Sequence, residues 1–173
     1  MAREDALYKE AVAEFGAALE RLARGYESDP DKRRDLLQEI HVALWRSFKS
    51  FDNRCSLRTW VYRVAHNRGV SHIRGSVRKY SQTVSLDDLD AMPDEELDGE
   101  IALDRNRAIE RILALIQQLP DLDRQVIMLH LEGLDAASIA EIAGLSPTNV
   151  GTKIHRLKKI LIRGVRKGGK DVR

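Results

Sequence analysis

The sequence predicts an all-α protein of two small helical domains joined by a flexible acidic linker. Three observations carry that prediction. Apolar Leu, Ile and Ala residues recur at helical spacing almost throughout, in place of the β-branched alternation of a sheet protein. Hydrophobic residues at 43% can build a core, and charged residues at 32% keep the opposite faces of such helices wet. The periodicity then dissolves over one internal stretch, where nine acidic residues (Asp87, Asp88, Asp90, Asp94, Glu95, Glu96, Asp98, Glu100 and Asp104) stand with no Lys or Arg among them. A chain of 173 residues has room for one ordinary domain or two small ones.

The first helix is expected from about Asp5 to Tyr26, with Leu7, Ala11, Phe15, Ala18, Leu19, Leu22 and Tyr26 on one face. Asp29-Pro30 then reads as an N-cap followed by a proline at the first helical position, where a missing N–H costs nothing. The second helix continues to about Phe48, with Leu36, Leu37, Ile40, Leu44 and Phe48 inward and a mixed-charge face of Arg34, Asp35, Gln38, Glu39, His41 and Arg46 outward. After the polar loop Phe51–Cys55, Ser56 is the expected cap of a third helix reaching about Arg74. Leu57, Val61, Val64 and Ala65 are its inward residues. Its other residues include Arg58, Trp60, Tyr62, Arg63, His66, Asn67, Arg68, His72 and Arg74, and no acid occurs from Ser56 to Lys79. Arginines interleaved with aromatic rings suit nucleic acid, since the cations meet phosphates and the rings stack on unpaired bases. Trp60 taken alone reads better as a core residue.

From Gly75 to about Asp104 the chain is polar, acidic and broken by Pro93 and Gly99, which reads as a linker. A flexible segment of that length has a root-mean-square span of ~30 Å, so the lobes it joins can reach sites about a DNA turn of ~34 Å apart. Ala108, Ile109, Ile112, Leu115, Ile116 and Leu119 then form one helix face. Pro120 starts another helix, largely apolar through Leu122, Val126, Ile127, Leu129 and Leu131, that ends at Gly133.

The following stretch, LDAASIAEIAGLSPTNVGTKIHRLKKILI, carries the sharpest motif. Asp135 caps a short helix with Ile139 and Ile142 inward, and Gly144 supplies its left-handed stop. Ser146 caps a second helix with Pro147 at its first position and Val150, Ile154, Leu157 and Leu161 as a buried stripe. Its opposite face offers Thr148, Asn149, Thr152, Lys153, Arg156, Lys159 and Arg163. A short helix, a glycine turn and a basic helix form the helix-turn-helix pattern, whose second helix suits the DNA major groove.

Charge supports a polyanionic partner. The net charge is only +2, yet without the acidic stretch the remainder holds 29 basic against 18 acidic residues. Other chemistry finds no foothold. The five histidines do not fall into metal-ligand spacing, and one cysteine, Cys55, makes neither a zinc knuckle nor an internal disulfide. Phosphate-binding glycine loops, a nucleophile elbow and a zincin motif are all missing from the sequence. The expectation is a protein that is not an enzyme and needs no metal or cofactor. Without an apolar run long enough to span a bilayer, or an apolar signal core in MAREDALYKE, the expected location is the cytoplasm, with no membrane insertion.

Two separated segments resemble one family. DLLQEIHVALWRSFKSF with SLRTWVYRVAHNRGVSHIR is similar to the second conserved region of bacterial RNA polymerase sigma factors of the extracytoplasmic-function group, and LPDLDRQVIMLHLEGLDAASIAEIAGLSPTNVGTKIHRLKKIL to that group's fourth region. The resemblance implies a region 2-like domain over 1–78, an acidic linker over 79–104 and a region 4-like domain over 105–173. It implies that Asp35, Gln38 and Glu39 dock on a coiled coil of the polymerase's largest subunit. Arg58, Trp60, Tyr62, Asn67, Arg68, His72 and Arg74 would hold the downstream (−10) promoter element as it melts. Thr148, Asn149, Thr152, Lys153, Arg156 and Lys159 would read the upstream (−35) element as duplex. Core polymerase and promoter DNA are the implied partners, and an anti-sigma factor is the family's usual regulator. The sequence departs from the family where Gly151-Thr152-Lys153 replaces a common Lys-Ser-Arg run, so promoter preference does not transfer. A helix-turn-helix regulator acting without polymerase would need a dimer to read half-sites, for which no heptad seam is visible. A helical protein-binding adaptor is the other alternative.

Overall fold

The structure, a computed structural model, describes residues 2–77 and 103–168. The predicted linker over 79–104 lies outside the described residues apart from its last two, which already belong to a helix. Seven α-helices and a short 3-10 turn make up the described chain, and no strand occurs among those residues.

The first lobe consists of α1 (Ala2–Tyr26), α2 (Pro30–Ser47) and α3 (Leu57–Val77), with the 3-10 turn at Phe48–Ser50. Its core is built from Ala11, Phe15, Leu19, Leu22 and Tyr26 of α1, Leu36, Ile40 and Leu44 of α2, and Val61 and Ala65 of α3. Local sequence explains the helix starts. The Asp29 carboxylate accepts from the amides of Asp31 and Lys32 at 2.9 and 3.1 Å, and Pro30 follows it as the first helical residue. Ser56 Oγ accepts from the Thr59 amide at 3.0 Å and so caps α3. Gly69 permits α3 to lie against α1, since a Cβ there would sit 2.6 Å from the Tyr26 ring. Beside it His66 is buried in the core, where its Nδ1 lies 2.8 Å from the Tyr26 hydroxyl. Burial pushes the His66 pKa down to about 3, so the ring is neutral and accepts the tyrosine's proton donation.

The second lobe consists of α4 (Leu103–Gln118), α5 (Asp121–Leu131), α6 (Ala136–Ala143) and α7 (Pro147–Gly168). Helix α5 is its centre: every residue from Asp123 to Leu129 is buried. Leu131, the last residue of that apolar run, is 59% exposed because α5 ends there and the chain turns away at Gly133. Ile109 and Leu122 are likewise exposed, Ile109 at the edge of a cleft it lines with Leu22 and Gly25 of α1. The α6–α7 turn follows the sequence pattern closely. Asp135 accepts from the Ser138 amide at 2.7 Å, Gly144 takes a left-handed φ of 69°, and Ser146 Oγ accepts from the Asn149 amide at 3.2 Å.

The two lobes are not held apart. α1 and α3 pack against α4, α5 and α6. Met128 of α5 lies directly over Gly25 of α1, the Arg124 guanidinium stacks over the Tyr26 ring at 5.6 Å, and Gln117 donates to the Arg24 carbonyl at 2.8 Å.

Candidate nucleic-acid interface

Helix α7 presents two sharply different sides. Val150, Leu157, Ile160 and Leu161 are buried against α4, α5 and α6, which fixes the roll of the helix. Thr148, Asn149, Gly151, Thr152, His155, Arg156 and Lys159 are exposed on the other side. The structure therefore brings five of the six sequence-predicted duplex-reading residues (Thr148, Asn149, Thr152, Arg156 and Lys159) onto one outward face. The sixth is placed differently. Lys153 lies three residues after Val150 and four before Leu157, so it stands on the packed side of the helix. Its Nζ is 2.7 Å from Oδ1 of Asp123, a buried residue of α5, and Arg156 Nη2 reaches the other oxygen at 3.3 Å.

Helix α3 distributes its predicted residues over three directions. Trp60 turns inward: its indole N–H donates to Ser47 Oγ at 2.9 Å and its ring lies 5.3 Å from that of Phe51. Toward α2, Arg68 pairs with Glu39 at 2.9 Å, and His72 Nε2 lies 2.9 Å from the Glu27 carboxylate near the end of α1. Burial raises the Glu27 pKa, but the hydrogen bonds from His72 and from the Asp29 amide outweigh it and leave the carboxyl below its usual range. Asn67 is exposed.

Toward the second lobe, Arg58 donates to the Glu132 carbonyl at 2.9 Å, and the buried Tyr62 places its hydroxyl 3.4 Å from Glu132 Oε2. Burial, with the Glu132 charge beside it, pushes the Tyr62 phenol up to about 12, so it stays a neutral donor. Arg74 pairs with Asp121 at 3.0 Å. Two residues outside the predicted site complete this contact. Arg63 pairs with Glu141 at 3.2 Å, and Arg21 of α1 forms a fork to both Glu132 oxygens, each at 2.7 Å. Arg21 and Glu132 are 111 residues apart, so nothing local could have flagged them. The one available signal was the acid-free run from Ser56 to Lys79, a cationic face in need of counter-charge.

The α2 residues form a third surface. Asp35, Gln38 and Glu39 are exposed and line a shallow groove with Val42, Ala43, Arg46 and Arg68. Its lining is apolar at Val42 and Ala43 and otherwise carries both signs of charge. Such a lining fits a protein helix better than a polyanion. Among the described residues no helix is long and apolar enough to cross a membrane.

Comparison with known proteins joins these surfaces. The family model for Sigma-70 region 2 matches residues 11–79, and that for Sigma-70, region 4 matches residues 109–161. The ECF RNA polymerase sigma factor SigX of Bacillus subtilis is 26% identical over 136 residues, covering 77% of this chain and 70% of that protein. The RNA polymerase sigma factor YlaC of the same organism is 29% identical over 142 residues, covering 81% of each. In fold, the chain matches the sigma factor RpoE solved in complex with the anti-sigma factor NepR from Bartonella quintana, with a TM-score of 0.68 at 21% identity over 92% of this chain and 96% of that one. Between them the two family regions span most of this chain in the order the fold requires, and the chain belongs to the extracytoplasmic-function group of RNA polymerase sigma factors.

Proposed function

We propose that the three surfaces divide the work of promoter recognition. A sigma factor directs RNA polymerase to promoters and takes part in transcription initiation, and the residue roles assigned below are our reading of how this chain does so. The outward face of α7 is the duplex reader for the upstream element, with Thr148, Asn149, Thr152 and Arg156 toward base edges and Lys159 toward phosphate. The groove around Asp35, Gln38 and Glu39 takes a helical coiled-coil element of the polymerase. The polar and basic groups of α3, with Asn67 and Arg68 foremost, meet the melted downstream element. The partners are core polymerase, promoter DNA and an anti-sigma protein, and the chain works in the cytoplasm. Unpairing a base costs a few kcal/mol, which binding supplies. No covalent chemistry is asked of this chain.

The observation that carries this reading is the sidedness of α7: one face is locked into the lobe and the other is polar, exposed and free of acids. The test is transcription of genomic DNA fragments by core polymerase with and without the full chain, followed by sequencing of transcript 5′ ends. Initiation should concentrate at a small set of sites only when the chain is present, and a polymerase indifferent to it would sink the proposal. Asp35→Lys combined with Gln38→Ala should lower affinity for core polymerase by tenfold or more while duplex binding stays within twofold. Parallel loss of both would mean that the surfaces are assigned wrongly.

A further inference from the structure

We infer that Asp123 is a specificity-determining positioning residue of the recognition helix, and that Lys153 is a fastener between α5 and α7 rather than a DNA contact. The inference rests on the reading of α7 as the duplex reader and deepens it. Asp123 comes from the buried centre of the second lobe, and its side chain is only 6% exposed. A carboxylate in such a place is costly unless paired and hydrogen-bonded. Both of its oxygens are engaged from α7: Oδ1 by Lys153 at 2.7 Å and Oδ2 by Arg156 at 3.3 Å.

The two cations are held unequally. Lys153 is 21% exposed and makes the short contact, on the same side of α7 as Val150 and Leu157. Withdrawing it toward a phosphate would leave the buried carboxylate only the longer contact from Arg156. Arg156 is 44% exposed at the longer distance, and its guanidinium has further N–H groups to offer. It is therefore the shared group, oriented by Asp123 and available to DNA. The consequence is a recognition helix with less charge at work than its sequence suggests. Phosphate attraction is indifferent to sequence, whereas contacts from Thr148, Asn149, Thr152 and Arg156 are not. By withholding one lysine from the backbone, Asp123 keeps non-specific binding low and so raises the ratio that selects a site.

The test uses the full chain and a 30-bp duplex of arbitrary sequence, with affinity measured across salt concentrations. Each phosphate contact adds about 0.9 to the log–log salt slope. Asp123→Asn should steepen the slope by about 0.9 and tighten binding several-fold. Glu110→Gln on the exposed side of α4, a substitution of equal charge change, should leave the slope as it was. Lys153→Met alone should not flatten the slope, and Asp123→Asn with Lys153→Met should restore the parent value. A slope flattened by about 0.9 in Lys153→Met would overturn the inference, and so would equal behaviour of Asp123→Asn and Glu110→Gln. Lys153→Met leaves Arg156 on the buried carboxylate, so that measurement stands even if Asp123→Asn folds poorly. An unsubstituted chain without salt-dependent duplex binding would overturn both this inference and the duplex-reading role of α7; the altered slopes alone concern Asp123.

Discussion

Helices α3 and α7 are the two basic helices of this chain, and they are in opposite states. Most of the basic residues of α3 are engaged within the molecule: Arg58 and Arg63 by α5–α6, Arg74 by α5, Arg68 by α2 and His72 by Glu27 just past α1. In α7 a single carboxylate holds Lys153 and Arg156, while Thr148, Asn149, Thr152 and Lys159 face outward. Similar sequence patterns thus give one face that is covered and one that is ready. If both faces bind promoter DNA, the outward face of α7 can engage first, while Arg58, Tyr62, Arg63 and Arg74 of α3 become available only when the second lobe withdraws.

Glu132 is where that difference is most directly broken. It accepts the fork from Arg21 and the Tyr62 hydroxyl through its side chain, and the Arg58 guanidinium through its backbone. Glu132→Arg places a cation against two arginines. It should cost the lobe contact about 2 kcal/mol, roughly a thirtyfold shift toward separated lobes. Small-angle scattering should then give a larger radius of gyration, with helix content unchanged by circular dichroism. An unchanged radius would mean that the apolar contact around Met128, Gly25 and Leu22 holds the lobes without the ion pairs, and the contrast between α3 and α7 would be permanent rather than switchable.

Acid should weaken the first lobe through His66. The folded first lobe keeps His66 neutral down to about pH 3, whereas the unfolded chain protonates it near ~6.5. Between those values the unfolded state binds the extra proton, so stability falls as pH falls, by up to ~1.4 kcal/mol per pH unit. From pH 7 to 5 the loss should be about 2 kcal/mol. His41, also held below its usual value by burial, works in the same direction and in the same lobe. Glu27 has a lowered pKa and contributes its stability above the ordinary carboxyl range, losing it only at lower pH, so it does not blur this window. Both tryptophans, Trp45 and Trp60, lie in the first lobe, so urea unfolding followed by their fluorescence reads that lobe alone. His66→Gln keeps an acceptor for Tyr26 and should remove most of the difference between pH 7 and 5. An undiminished difference would move the acid sensitivity away from His66.

Legibility in the sequence followed the range of the forces involved. Asp29, Ser56, Asp135 and Ser146 were readable as caps because a cap and its amides lie within three residues of each other. The buried stripe of α7 and the turn at Gly144 were readable for the same local reason. Tyr62 and Lys153 were harder. Each is a residue type that suits nucleic acid, and only the roll of its helix against a distant neighbour shows that it faces protein. The lobe contact was least accessible, because Asp121, Glu132 and Glu141 stand as ordinary surface acids until α3 is laid across them. The counter-charge that the second lobe sets against α3 comes from α5, α6 and the turn between them.

Gly151 tests the ready side of the comparison with the smallest expected change. It is exposed on α7 beside Thr148, Thr152 and His155, and a Cβ added there would meet nothing within the molecule. Gly151→Ala should therefore stabilise the second lobe by up to about 1 kcal/mol through helix propensity alone. Its effect on duplex binding should have the opposite sign. A methyl group on the face proposed to enter the groove would keep the backbone further from DNA, so affinity for a 30-bp duplex should fall two- to threefold while the melting temperature rises. Those opposed changes, measured on one variant, would mark Gly151 as a residue kept for close approach at the expense of helix stability. A rise in melting temperature with unaltered affinity would instead place the DNA-contacting stripe nearer Asn149 and Arg156, on the far side of Thr152.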